Sequence, residues 1–179
     1  MANLNKTLDH ILTVEGGFVN HPTDPGGATK YGVTQYTLNA YMDRTGGDRY
    51  DVRFLHKSTA REIYKFMFWD PLKFQDIESD AVATIIFDQL INQGVGRVPR
   101  RVQSVALGLR RNPGPMDGIM GPKTIEAVNR CRPYAFNIEF LLQSQLYYAK
   151  LVRDKPEMSV FIVGWTRRIG HLWRLADQV

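Results

Sequence analysis

A single cysteine, Cys131, stands among the 179 residues, so no disulfide can close within the chain. The fold therefore does not depend on oxidation and is compatible with assembly in the cytosol. No apolar run approaches the roughly 20 residues a membrane helix needs, and membrane insertion is not expected. No cationic start leads into an apolar run, so no secretory signal peptide is expected. His10, His21, His56 and His171 lie at no metal-ligand spacing, which leaves a zinc amidase or metallopeptidase without ligands. Neither a metal nor a cofactor is expected. A phosphate-cradling glycine loop is missing, and Cys131 lacks the setting of a thiol nucleophile. With no recognition helix and no basic arm, nucleic acid is not an expected partner.

What is there is ordinary globular material. Hydrophobic residues make up 44% and charged residues 23%, enough for one well-buried domain or two small lobes. Net charge is +5 and the pI about 9.4. A basic surface suits a polyanion, bacterial wall polymer among them, and charge alone does not choose.

Most of the chain has helical periodicity. Leu4, Leu8, Ile11 and Leu12 share one face of a helix over Asn3–Val14, with Asn3 or Asn5 as its cap. Thr34 can cap a helix over Gln35–Asp43. Thr59 and Glu62 have capping-box spacing, and Asp70-Pro71 should stop the helix that follows. Ser79–Asn92 is apolar nearly all round and is expected at the centre of the core. Further helices are expected over Arg97–Leu109, from Pro122, from Pro133 to Val152 and from Pro156 to Ala176. The fold class expected is mainly α, with two helical lobes and one small β-hairpin beside a cleft.

The chain is organised around Val14–Thr34, VEGGFVNHPTDPGGATKYGVT. Glu15 sits where the first helix pattern stops at Gly16-Gly17. Asp24 follows after eight intervening residues, inside the turn-forming run PTDPGG. One carboxyl at the end of a rigid element and one on a constrained loop suit glycoside hydrolysis, which commonly uses two carboxyls flanking one bond. The negative end of the helix dipole beside Glu15 disfavours its ionisation, as a general acid requires. The alternative is a helix end followed by a hairpin that carries an incidental acid.

The runs E-G-G-F and D-P-G-G-A-T-K-Y-G-V resemble the entry motif of the glycoside hydrolase 108 family of bacterial and phage N-acetylmuramidases. They are also similar to the Glu, eight-residue gap, Asp, then Thr arrangement of phage-type lysozymes. The Asp-to-Thr gap is one residue shorter here. The resemblance implies a lysozyme-like fold and a muramidase acting on the β-1,4 bond between N-acetylmuramic acid and N-acetylglucosamine. Glu15 would be the general acid, Asp24 would position water or stabilise charge, and Thr29 would help hold that water. Asn20 and Tyr31 would be sugar contacts from the hairpin.

Three stretches of the second half extend the resemblance. Asp117-Gly118-Ile119-Met120-Gly121-Pro122-Lys123-Thr124 resembles the D-G-x-x-G-P-x-T signature of small helical peptidoglycan-binding modules, although the loop itself can simply join two helices. Phe87-Asp88 with Asn92-Gln93-Gly94 resembles the family's F-D-x-x-x-N-x-G stretch. There Asp88 and Asn92 either line the sugar cleft or brace the helix. Gly164-Trp165 with the following arginines is similar to its closing helix, where Trp165 fills core or packs on sugar. Arg97, Arg100, Arg101, Arg110 and Arg111 form the most basic part, a solvated helix face or an attraction for wall anions.

The division expected is a catalytic lobe over 1–92 and a peptidoglycan-binding-like helical lobe over 93–179, packed as one unit. The protein is expected to be a bacteriolytic, monomeric hydrolase with bacterial peptidoglycan as its partner. It would be made in the cytoplasm and reach the wall through a holin, lysis or dedicated secretion, as an endolysin does. A lytic transglycosylase using Glu15 alone, a chitinase-like hydrolase and a non-catalytic wall-binding module are the alternatives.

Overall fold

The computed structural model describes residues 1–14, 17–20 and 27–177, and eight helices and one hairpin lie among them. Packing divides the chain into two units: Asn3–Leu72, and Met1–Ala2 with the chain from Lys73 onward.

In the first unit, α1 (Leu4–Val14) begins where the Asn3 side chain accepts a hydrogen bond from the Lys6 amide. Its Leu8, Ile11 and Leu12 are buried, and Arg61 of α3 donates to Asp9 and Asn5 on α1. Strands β1 (Thr29–Lys30) and β2 (Val33–Thr34) form an antiparallel hairpin, with Thr29 opposite Thr34 and Lys30 opposite Val33. Thr34 then caps α2 (Gln35–Thr45) by accepting from the Thr37 amide, as its position predicts. Gly46 closes α2 at φ 75°, the left-handed conformation that favours glycine.

The next helix departs from expectation. The capping box at Thr59 does not form, because α3 (Lys57–Tyr64) starts three residues earlier, from an N-cap position at His56. It runs on as a π-helical turn over Lys65–Trp69, so the helical path reaches Asp70 by widening rather than as continuous α-helix.

In the second unit, α4 (Asp80–Gln93) has its N-cap at Ser79 and buries its residues from Ala81 to Leu90. It packs against α5 (Val98–Gly108), α7 (Pro133–Asp154) and α8 (Ile162–Ala176), which makes it the central element of that unit. Pro122 opens α6 (Pro122–Asn129) and Pro133 opens α7, each at the first helical position. Pro156 instead opens a short 3₁₀ turn, Pro156–Phe161, and the last helix begins only at Ile162.

Candidate active site

The two carboxyls at the heart of the sequence motif, Glu15 and Asp24, lie outside the described residues. The flanking chain is described, and it is tightly held. Val19 and Thr29 exchange two backbone hydrogen bonds of 2.8 Å, adding a third strand-like segment beside the hairpin. Thr29 is half-buried, and Asn20 next to Val19 is exposed. The turn between β1 and β2 has two central residues, Tyr31 and Gly32, at φ 53° and 74°. Two positive φ values are what a type I′ hairpin turn requires, and its twist suits the paired strands.

Tyrosine is an unusual choice there, since a side chain in the left-handed region crowds its own carbonyl. Tyr64, buried on α3, donates its hydroxyl to the Tyr31 carbonyl at 2.6 Å. Lys30 donates to the Arg53 carbonyl at 2.7 Å while its ammonium lies 5.6 Å from the Tyr31 ring centre. The hairpin is thus clamped from below, and the half-buried Tyr31 ring is held at its tip.

In the second unit, the two residues of the F-D-x-x-x-N-x-G stretch separate in role. Asp88 is fully buried and takes a 3.1 Å hydrogen bond from Arg168 of α8, so it braces the helix. Asn92, one turn on, is exposed and accepts from the Tyr148 hydroxyl. Burial pushes the Tyr148 hydroxyl up to about 12, opposed by hydrogen bonding from Gln93 and the charge of Arg168. Trp165 is half-buried, its ring stacked on Tyr148 at 4.7 Å.

The basic stretch is not one solvated face. Arg101 is buried, donates to Ser144, and lies 5.6 Å from the rings of Phe140 and Tyr147. Burial lowers its guanidinium to about 10. Arg97 is exposed and lies 4.5 Å from the Tyr147 ring centre. The periodicity of α5 turns Arg101 inward with Val98, Val102 and Val105.

The glycine-rich loop is spent on itself. Gln103, buried on α5, donates to Asp117 and the Ile119 carbonyl and accepts from the Gly118 amide. Hydrogen bonds from Gln103 and the Ile119 amide hold the Asp117 carboxyl below the usual range. Joining α5 to α6 is therefore what this loop's polar atoms do.

Sequence reasoning missed Tyr64, Tyr148 and the pairing of Arg168 with Asp88. A signal for the last two existed. Asp88, Gln89, Asn92 and Gln93 are polar at helical spacing within an apolar helix, and such a seam needs partners. No cluster of His, Cys, Asp or Glu suited to a metal is found among the described residues.

A mainly helical chain with one small hairpin is the lysozyme-like class of fold, as the sequence led us to expect. The solved structure of SagA from Brucella abortus is similar to this chain at 28% identity and a TM-score of 0.79. The similarity covers 98% of this chain and 94% of that one. A search of curated proteins returned no match. Residues 8–94 match the family model for glycosyl hydrolase 108, and residues 99–170 match that for a Predicted Peptidoglycan domain. Residues 8–94 are thus a glycosyl hydrolase 108 region, and the chain is a glycoside hydrolase acting on peptidoglycan. That first match runs through α4, beyond the packing boundary at Leu72, so α4 belongs to one region by family and the other by packing.

Proposed function

We propose that this peptidoglycan hydrolase is an N-acetylmuramidase, cutting the β-1,4 bond between N-acetylmuramic acid and N-acetylglucosamine. The observation that carries the reading is the glycosyl hydrolase 108 match over 8–94, which contains Glu15, Asp24, Thr29 and Tyr31 in one motif. Glu15 protonates the glycosidic oxygen. Asp24 places the water or stabilises the oxocarbenium-like charge, and Thr29 helps hold that water. Asn20, Tyr31 and Asn92 contact the sugars. Residues 1–92 carry the chemistry and 93–179 hold the wall. A carboxyl separation of roughly 6.5–9.5 Å would give inversion, and roughly 5–5.5 Å retention.

The enzyme acts as a monomer, without nucleic acid, metal or cofactor. It is made in the cytoplasm and meets the wall after release, as an endolysin does.

The test is a digest of purified peptidoglycan by wild type and Glu15→Gln, with the products read by mass spectrometry. Hydrated products with reducing muramic ends, reduced about 10²–10⁴-fold in the variant, are expected when a general acid is removed. Anhydro ends would assign a transglycosylase instead. Binding without cleavage by wild type would assign a wall-binding module.

A further inference from the structure

The polar seam of α4 runs as hydrogen bonds from Asp88 to Gln93 and continues at Asn92 with Tyr148. At its buried end Asp88 accepts from Arg168 on Oδ2 and from Gln89 Nε2 on Oδ1, both at 3.1 Å. Gln93 Nε2 donates to Gln89 Oε1 at 2.6 Å. Next along the seam, the Tyr148 hydroxyl donates to Asn92 Oδ1. Asp88, Gln89, Gln93 and Tyr148 are all buried, whereas Asn92 is exposed.

The chain has only one sense. An ionised carboxylate beside an arginine accepts and never donates. Gln89 must therefore turn its N–H to Asp88, which leaves its oxygen for Gln93. Gln93 must meet that oxygen with Nε2, because turning the amide over would set two carbonyl oxygens against each other. It keeps this orientation although its own Oε1 is buried with no partner among the described residues. Tyr148 has one proton to give, and it gives it to Asn92 Oδ1. With its oxygen taken, Asn92 has both N–H groups left. The ring of Trp165, stacked on Tyr148 with 15° between planes, keeps the phenol from turning away.

We propose that Tyr148, stacked on Trp165 at the end of this seam, fixes Asn92 as a hydrogen-bond donor that recognises a carbonyl acceptor on the amino-sugar glycan. The acceptor is an acetamido carbonyl or the carbonyl of the lactyl group. Tyr148 is then a positioning residue, and specificity for acylated sugars follows from it. The proposal rests on the muramidase reading only for Asn92 as a sugar contact.

Binding is measured by calorimetric titration in a Glu15→Gln background, so that no glycan is consumed. The probes are an N-acetylglucosamine tetramer, its de-N-acetylated counterpart and a tetrasaccharide that contains muramic acid. Tyr148→Phe keeps the stacked ring and removes the proton; Asn92→Asp keeps the shape and removes the donor. Each should weaken binding of an acylated glycan about tenfold. Adding Tyr148→Phe to Asn92→Ala should cost nothing beyond Asn92→Ala alone. The de-N-acetylated tetramer should bind all these proteins alike. Weakening with both acylated glycans assigns the acetamido carbonyl, and with the muramic one alone the lactyl carbonyl. In the otherwise unsubstituted enzyme, Tyr148→Phe should raise KM with kcat within about twofold, since the contact is uniform binding.

Unchanged affinity in Tyr148→Phe or Asn92→Asp, or additive losses in the double variant, would overturn the proposal. If the glycans are discriminated as described but wild type releases no reducing ends, the muramidase reading fails and this one stands.

Discussion

Each of the two units uses a buried tyrosine hydroxyl to hold something still, and the things held differ in kind. In Asn3–Leu72, Tyr64 donates to the carbonyl of Tyr31 and so fixes backbone at the tip of a hairpin. In the C-terminal unit, Tyr148 donates to the side chain of Asn92 and so fixes which way an amide faces. Backbone in a two-residue turn is already constrained by the strands on either side, so Tyr64 adds to a conformation that exists without it. A side-chain amide on a helix surface has free torsions and two faces, so Tyr148 decides its orientation. The first device holds main chain and the second a side chain, and each reaches across the sequence to do so.

That contrast is broken most forcefully at the buried end of the α4 seam. Asp88→Ala leaves Arg168 facing a site built for a carboxylate, and removing one partner of a buried pair costs about 3–5 kcal/mol. Urea unfolding should show that loss, and Asp88→Ala with Arg168→Leu should recover part of it. A cost under about 1 kcal/mol would mean that Arg168 swings to solvent and that α4 has no firm anchor.

Distance along the chain governs what could be read from the sequence. The Thr34 cap, the Pro122 and Pro133 helix starts and the hairpin are written in short stretches, and each formed where expected. The Thr59 capping box failed because Lys57 to Thr59 already takes helical geometry, so the Thr59 side chain arrives too late to cap. Pro156 was misjudged because proline at a first position starts a 3₁₀ turn as readily as an α-helix. The partners Tyr64 and Tyr148 were illegible for another reason. They lie 33 and 56 residues from the groups they hold, and spacing in sequence says nothing about such pairs. Of the candidate site, the motif was legible, and Thr29, Tyr31 and Asn92 fall on described, well-braced backbone.

The second test sharpens the comparison through pH. Burial raises the Tyr148 hydroxyl to about 12, against about 10 in an unfolded chain. A group whose folded value is raised contributes stability that is complete below the unfolded value and lost as pH climbs through the folded one. Between about pH 10 and pH 12 the protein should therefore lose up to about 3 kcal/mol through this group. Tyr148→Phe should abolish that part of the alkaline loss while leaving the rest. The ultraviolet absorbance of tyrosinate would report the late titration directly. An alkaline limb identical in wild type and variant would show that Tyr148 ionises with the exposed tyrosines.

The smallest effect distinguishes a strained turn kept for stability from one kept for its ring. Tyr64→Phe removes one hydrogen bond to the Tyr31 carbonyl and should cost about 1 kcal/mol, read as a shift in thermal midpoint. Tyr31→Asn should behave oppositely, because asparagine enters the left-handed region more readily than tyrosine without loosening the unfolded chain as glycine does. Stability should stay level or rise by roughly 0.5 kcal/mol, while kcat/KM on soluble glycan falls if the ring touches sugar. Residues held in sparsely populated backbone regions persist where the surroundings over-determine them, and the clamp from Tyr64 is such a surrounding. Stability and activity rising together in Tyr31→Asn would show that the ring makes no sugar contact, and the strain at this tip would then have no functional account.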